Sequence, residues 1–230
     1  MKIFTIPNFI TLGNLLCGCL GLISVFEGDL KKASIFIFVA LLLDFADGFV
    51  ARLLHSSSEI GKQLDSLADV VSFGVLPSFI VFKNLETFSE NEYMKYGAFL
   101  LAMFSALRLA KFNIDTRQSD SFIGLPTPAN GILIATFPFL IDNSDFWNKT
   151  LSTEWFWISY VVVFSYLLIM ELPLFALKFK DYSWAKNKVK FIFLALSAGL
   201  LAFFQFAAVP FIIVLYLVFS VLLHFKVLKA

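Results

Sequence analysis

Charge, and the side chains of soft-metal or covalent catalysis, are what this chain has least of. Of its 230 residues only 15% are Asp, Glu, Lys or Arg, two are histidines and two are cysteines. Cys17 and Cys19 stand two apart in an apolar run. On a helix they point in different directions and form neither a disulfide nor a metal pair, which leaves them as small packing side chains. His55 falls in a polar stretch between apolar blocks and His224 near the C-terminus, so no Ser-His-Asp or Cys-His arrangement is in prospect. A net charge of +1 lacks the basic or acidic excess that marks a nucleic-acid or acidic-protein partner. Repeats, low-complexity tracts and a separate soluble domain are also missing.

What is present is apolar. At 59% hydrophobic and 17% aromatic, the chain has more apolar surface than one water-soluble core can cover. That surface comes in blocks of about 17 to 25 residues, the length a helix needs to cross roughly 30 Å of hydrocarbon. The blocks do not alternate in hydropathy as barrel strands would. The expected fold is therefore all-α, a polytopic bundle of about eight spans: 9–26, 33–54, 61–82, 93–111, 128–141, 155–172, 190–206 and 209–225. The first is read as a span and not a cleaved signal, because a single Lys precedes it and further spans follow. The fifth is the weakest, short and bracketed by Pro126, Pro128 and Pro138, so a broken or tilted helix is expected there. The last two should form a tight hairpin around residues 207–210.

Lys and Arg set the orientation, because positive loops stay on the cytoplasmic side. With the N-terminus inside, Lys31, Lys32, Lys83, Lys95 and Lys149 fall outside and the other 13 of the 18 basic residues inside. Both termini and the loops at 55–60, 112–127 and 173–189 are then cytoplasmic. The whole chain, 1–230, reads as one membrane domain, with a six-helix core over 1–172 followed by a basic loop and two further helices over 173–230. The lysines at 178, 180, 186, 188 and 190 either mark a positive-inside loop or lie along anionic headgroups.

Charges inside spans cost several kcal/mol each and need partners or a wet cavity. Four aspartates nevertheless fall in or beside spans two and three: Asp44-Phe-Ala-Asp47-Gly48-Phe-Val-Ala51-Arg52, eight residues, then Gly61-Lys-Gln-Leu-Asp65-Ser-Leu-Ala-Asp69. Asp44 and Asp47 share one helical face by their i, i+3 spacing, and Asp65 and Asp69 another by i, i+4. A turn near residues 55–58 places Asp47 and Asp65 at one level, about 12 Å below the helix ends. Carboxylates so crowded take up protons or hold cations. Oxygen ligands without Cys or His favour a hard ion, Mg²⁺ or Mn²⁺. Gly48, Ala51 and Gly61 leave room for a ligand to approach the helices, although small residues also serve helix packing.

These nine positions resemble the full signature of the CDP-alcohol phosphatidyltransferase family. That resemblance implies that a hydroxyl attacks the phosphorus of a CDP-linked lipid or alcohol and CMP leaves, without a covalent enzyme intermediate. It also implies metal, two ions, on Asp44, Asp47, Asp65 and Asp69, with Asp69 as general base, CDP against Gly48, Ala51, Arg52 and Gly61, and a homodimer.

Two further stretches, Pro7-Asn8-Phe-Ile-Thr11-Leu-Gly-Asn14, and Arg108-Leu-Ala-Lys111-Phe112-Asn113 with Phe122-Ile-Gly124-Leu125-Pro126-Thr127-Pro128-Ala129, resemble the membrane-spanning phosphatidylserine synthases of bacteria and archaea. That likeness covers about residues 7–130. It implies CDP-diacylglycerol and L-serine as substrates, an inner-membrane enzyme with its site facing the cytoplasm, Asn8 and Thr11 toward CDP, and Arg108, Lys111 and Asn113 toward serine or phosphate. Lys111 stands where many relatives carry Arg, which keeps the charge but loses the planar fork. Thr11 and Asn14 also read as hydrogen bonders between helices, Asn113 as a turn residue, and Arg108 and Lys111 as topological charge. A sibling enzyme acting on glycerol 3-phosphate or an inositol phosphate is the alternative and should need more cations. A cation or proton transporter would not need the small residues framing the acids, and a membrane scaffold explains the acids least.

Overall fold

Proline, glycine and short polar side chains decide where the helices begin and end. The computed structural model describes residues 3–115, 121–142, 144–175, 177 and 183–225. Lys2, Arg117, Lys178, Lys180, Lys226 and Lys229, and with them much of the expected basic loop, lie outside the described residues. Helix α1 (Ile6–Phe26) starts at Thr5, whose side chain accepts from Asn8 N, with Pro7 in its first turn, where a missing N–H costs nothing. Gly28, at φ 82°, makes the turn, and Asp29 caps α2 (Leu30–Leu53) by accepting from Lys32 N. Ser58 caps α3 (Glu59–Asp69) through Gly61 N at 3.1 Å.

From α3 the chain runs without a break through a π-helical turn, Val70–Val75, into α4 (Leu76–Phe88). This 30-residue rod is longer than the expected span at both ends. At 1.5 Å per residue it reaches about 45 Å, so its polar first turns stand at and beyond the hydrocarbon edge. After a 3₁₀ turn at Met94–Ala98 comes α5 (Phe99–Ile114).

Helix α6 (Thr127–Leu140) is continuous despite Pro138 within it. The expected break is absent, and the helix is instead short, about 21 Å. The sixth span is α8 (Glu154–Ile169), preceded by a seven-residue helix α7 (Asp145–Leu151) at a bend of 73°. Trp157 pins that bend by donating from Nε1 to Leu151 O at 2.8 Å, and its fully buried ring lies edge-on to Phe137.

Helices α9 (Trp184–Phe204) and α10 (Ala208–His224) turn at Gln205–Ala207, where Gln205 takes φ 49°. Phe193 meets Phe219 at 6.3 Å, which two residues so far apart along one straight rod could not do, so the expected hairpin forms. By length and apolar content five helical segments reach across a membrane, six when α7–α8 is taken as one span; the hairpin is counted once in that figure. With α6 and both hairpin arms, the bundle has the eight membrane helices expected.

A two-stranded ribbon was not expected. Strands β1 (Ser121–Ile123) and β2 (Pro173–Phe175) pair antiparallel, Phe122 opposite Leu174. It lies where the loops after α5 and α8 leave the same end of the bundle. Gly124, at φ 76°, lets the chain pass the Leu168 carbonyl, which a Cβ would strike.

At the centre α1 packs against both α2 and α3. The π turn is wedged between α1, α5 and α6: a Cβ on Gly18 would stand 2.7 Å from Ser72 Oγ, and one on Gly131 3.2 Å from Phe73. Where lipid surrounds the bundle, such close backbone approach supplies much of the packing attraction.

Candidate active site

Three helix ends meet at one end of the bundle: the start of α1, the end of α2 and the start of α3. The turn joining α2 to α3 is tight, with Ser56 N bonded to Ala51 O at 3.0 Å and His55 at φ 47°. It brings the faces anticipated from the i, i+3 and i, i+4 spacings together. One carboxylate oxygen from each of Asp44, Asp47 and Asp65 lies within 4.8 Å of the others. Asp69, one turn deeper on α3 and buried, is not in that group. Three of the four expected ligands thus share one tight cluster, and Asp69 lies a turn deeper on α3, within electrostatic range of all three.

Helix α1 holds the acids in place. Thr11 donates from Oγ1 to Asp47 Oδ2 at 2.5 Å, and Asn14 donates from Nδ2 to Asp69 Oδ1 at 3.2 Å. Ser72, in the π turn just past Asp69, returns a bond to Asn14 O at 2.9 Å. Asn14 was anticipated as a helix–helix hydrogen bonder or a ligand contact, and it does bond between helices; that its partner is Asp69 depends on α1 lying beside α3, for which the sequence carries no signal. π turns recur at functional sites because they reset the side-chain register locally.

The cluster opens into a cavity of about 340 Å³ lined by Pro7, Asn8, Thr11, Asp47, Gly48, Ala51, Arg52, Ser56, Ser57, Ser58, Gly61, Lys62 and Asp65. All six residues expected to face CDP (Gly48, Ala51, Arg52, Gly61, Asn8 and Thr11) are in this wall. A Cβ on Gly61 would stand 3.1 Å from Asn8 Oδ1, so a larger residue there would narrow the cavity. The three serines and Lys62 were missed. Their signal was the polar run between two apolar spans.

A divalent cation fits the donor set. Oxygens on opposite sides of one octahedral Mg²⁺ are about 4.2 Å apart, close to the spacing of the cluster, and Asp65 Oδ1 is buried without a hydrogen-bond partner. Asp44, Asp47 and Asp65 could therefore hold a divalent metal ion, consistent with oxygen ligation and a hard cation.

The residues expected at the acceptor side lie at the same end of the bundle, on α5, but do not act alike. Lys111 is paired with Glu171. Asn113 donates from Nδ2 to Ser66 Oγ at 2.9 Å, and its carbonyl accepts from Lys62 Nζ at 2.8 Å, which ties α5 to α3. Arg108 is 6% exposed, its guanidinium lies 5.0 Å over the Phe112 ring, and its Nε has no partner. Of the three, Arg108 keeps a buried donor open.

The sequence profile described as CDP-alcohol phosphatidyltransferase matches residues 4–167. The chain belongs to that family. Among similar curated proteins, the CDP-diacylglycerol–serine O-phosphatidyltransferase of Helicobacter pylori is 31% identical over 224 residues, 96% of this chain and 91% of the relative. The Bacillus subtilis protein of the same name is 37% identical over 134 residues, 58% of this chain and 75% of the relative. That of Methanocaldococcus jannaschii is 36% identical over 142 residues, 62% and 64% of the two chains. As a family member the protein is a membrane-embedded transferase. The matched region holds the whole carboxylate cluster and the α1 residues that support it, while the α9–α10 hairpin lies beyond it.

Proposed function

We propose that this enzyme transfers the phosphatidyl group of CDP-diacylglycerol to the hydroxyl of L-serine, giving phosphatidylserine and CMP. The observation that carries this reading is the carboxylate cluster at the mouth of a polar cavity of nucleotide size, with buried Arg108 on the neighbouring helix. The relatives named for the serine reaction support the choice of acceptor.

In this reading the cytidine diphosphate enters the cavity between α1, α2 and α3, where Gly48, Ala51 and Gly61 admit it and Asn8, Thr11, Arg52 and the three serines offer hydrogen bonds. Asp44, Asp47 and Asp65 would hold the divalent metal, Mg²⁺ or Mn²⁺, with two ions in all. When bound, the metal neutralises the diphosphate and the charge that develops on the leaving group. Thr11 fixes the orientation of Asp47. Asn14 occupies Asp69 Oδ1, which leaves Oδ2 to accept the proton of the serine hydroxyl. The serine oxygen forms its bond to phosphorus as the bond to the CMP oxygen breaks, and the proton remains on Asp69. Arg108 receives the serine carboxylate, a pairing suited to the planar guanidinium fork.

The charged nucleotide and zwitterionic serine come from water while the acyl chains stay in lipid. We therefore place the site at the cytoplasmic face of a bacterial or archaeal inner membrane, with both termini on that side. The catalytic core is residues 1–172, the remainder is an added basic loop and hairpin, and the enzyme is a homodimer. Purified enzyme with CDP-diacylglycerol, Mg²⁺ or Mn²⁺ and a panel of alcohols tests the reading: serine should drive CMP release. Release with glycerol 3-phosphate or an inositol phosphate but not with serine would move the assignment to a sibling reaction. No release with any alcohol would sink the enzyme reading.

A further inference from the structure

The C-terminal hairpin lies outside the region matched by the family profile, yet one of its side chains returns to the acceptor side of the site. Tyr216, on α10, donates its hydroxyl to Phe175 O at 3.0 Å and packs its ring 4.9 Å from Phe175 and 6.0 Å from Phe193. Phe175 ends strand β2 and pairs with Ser121 of β1. The next residue of β1, Phe122, lies 6.1 Å from Phe112, and the Phe112 ring carries the Arg108 guanidinium. The ribbon and two aromatic contacts thus join Tyr216 to Arg108. Both Asp69 and the Tyr216 oxygen also lie within electrostatic range of Arg108. With its proton given to the Phe175 carbonyl, that hydroxyl keeps lone pairs for a cation. Arg108 is a buried cation with an unpartnered Nε, so its orientation is set by such weak neighbours until a ligand arrives.

We propose that Tyr216 is a positioning residue for acceptor recognition: through its hydroxyl bond to Phe175 and the β1–β2 ribbon it holds Phe112 and so aims Arg108 at the acceptor carboxylate, which makes the α9–α10 hairpin the part that tunes the acceptor. This rests on the serine reading above. It gives the hairpin a task distinct from donor binding, because among the described residues the donor cavity is walled by α1, α2, α3 and the turn between α2 and α3.

Tyr216→Phe keeps the ring contacts and removes only the hydroxyl. In full-length enzyme in lipid nanodiscs, the KM for serine should rise several-fold, up to about 10-fold, the scale of one lost hydrogen bond, with the KM for CDP-diacylglycerol unchanged. Ser220→Ala, one turn further along α10, removes a bond to Tyr216 O and should leave both constants alone. In an Arg108→Lys background Tyr216→Phe should add no further rise, because the two act as one unit. An unchanged serine KM in Tyr216→Phe, an equal rise for both substrates, a matching rise in Ser220→Ala, or additivity with Arg108→Lys would each overturn the proposal. Those results bear on Tyr216 alone as long as wild-type enzyme releases CMP with serine. If wild-type enzyme turns over CDP-diacylglycerol only with another alcohol, the serine reading falls and this proposal with it.

Discussion

The donor side and the acceptor side of the site are built from the same materials, polar side chains at the ends of apolar helices, but to different effect. On the proposed donor side polar residues of α1, α2 and α3 converge: three carboxylates within 4.8 Å, a threonine and an asparagine of α1 behind the acids, and glycines in the cavity wall. On the acceptor side the polar groups are mostly occupied with one another. Lys111 is held by Glu171 and Asn113 by Ser66 and Lys62, while Arg108 alone keeps an open donor. Holding metal and diphosphate requires many fixed oxygens and hydrogen bonds, whereas recognising one small carboxylate requires a single well-aimed fork.

The comparison can be broken by substitution, and the largest effects should fall on the donor side. Asp65→Asn removes a carboxylate whose oxygen has no other partner, and should lower kcat by at least ~10³-fold with loss of Mn²⁺ binding measured by electron paramagnetic resonance. Asp69→Asn should lower kcat by about 10² to 10⁴-fold, the range of a lost general base, while metal-dependent nucleotide binding survives in calorimetry. If nucleotide binding vanished as well, Asp69 would belong with the ligands. Thr11→Val and Asn14→Leu probe the support from α1. Losses of roughly 10 to 100-fold are expected for such orienting partners, Thr11→Val in metal affinity and Asn14→Leu in kcat, and equal effects on both quantities would erase the distinction between cluster and base.

On the acceptor side Arg108→Lys should raise the KM for serine about 10-fold or more and leave that for CDP-diacylglycerol alone, because Lys keeps the charge but not the fork. The smallest effect should come from Lys111→Met. Its partner Glu171 is 61% exposed, and an exposed pair contributes on the order of 1 kcal/mol or less, so serine KM should move less than about 3-fold. A large rise would return Lys111 to the acceptor site and make the two sides alike.

How far these differences could be read without the fold depends on how local they are. The pairing of Asp44 with Asp47, and of Asp65 with Asp69, is helical geometry within one segment, and the short turn between α2 and α3 leaves the two faces little choice but to meet. Gly48, Ala51 and Gly61 were legible as small residues beside the acids, and Arg52, Asn8 and Thr11 came from the family resemblance. Asn14 was not legible as the partner of Asp69, because 55 residues separate them and only the packing of α1 on α3 joins them. The resemblance pointed Lys111 and Asn113 toward serine or phosphate, while their contacts with Glu171 and Ser66 depend on how α5 packs and could not be read from sequence. The ribbon of β1 and β2 was invisible, since three-residue strands between spans carry no periodicity to detect.

The sequence by itself determined that the chain is a polytopic helical membrane protein, and it singled out the acids that fall within its helices. Lipid makes both apolar length and buried charge stand out against composition, and the nine signature positions are spaced along contiguous helix and turn. Tertiary structure alone decided that Asp44, Asp47 and Asp65 share one cluster with Asp69 a turn deeper beside Asn14, that Arg108 is buried over Phe112 with its Nε unpartnered, and that Tyr216 of α10 bonds to the ribbon next to Phe112. Those outcomes depend on which helix lies beside which, and helix packing is set by close contacts between small residues far apart in sequence.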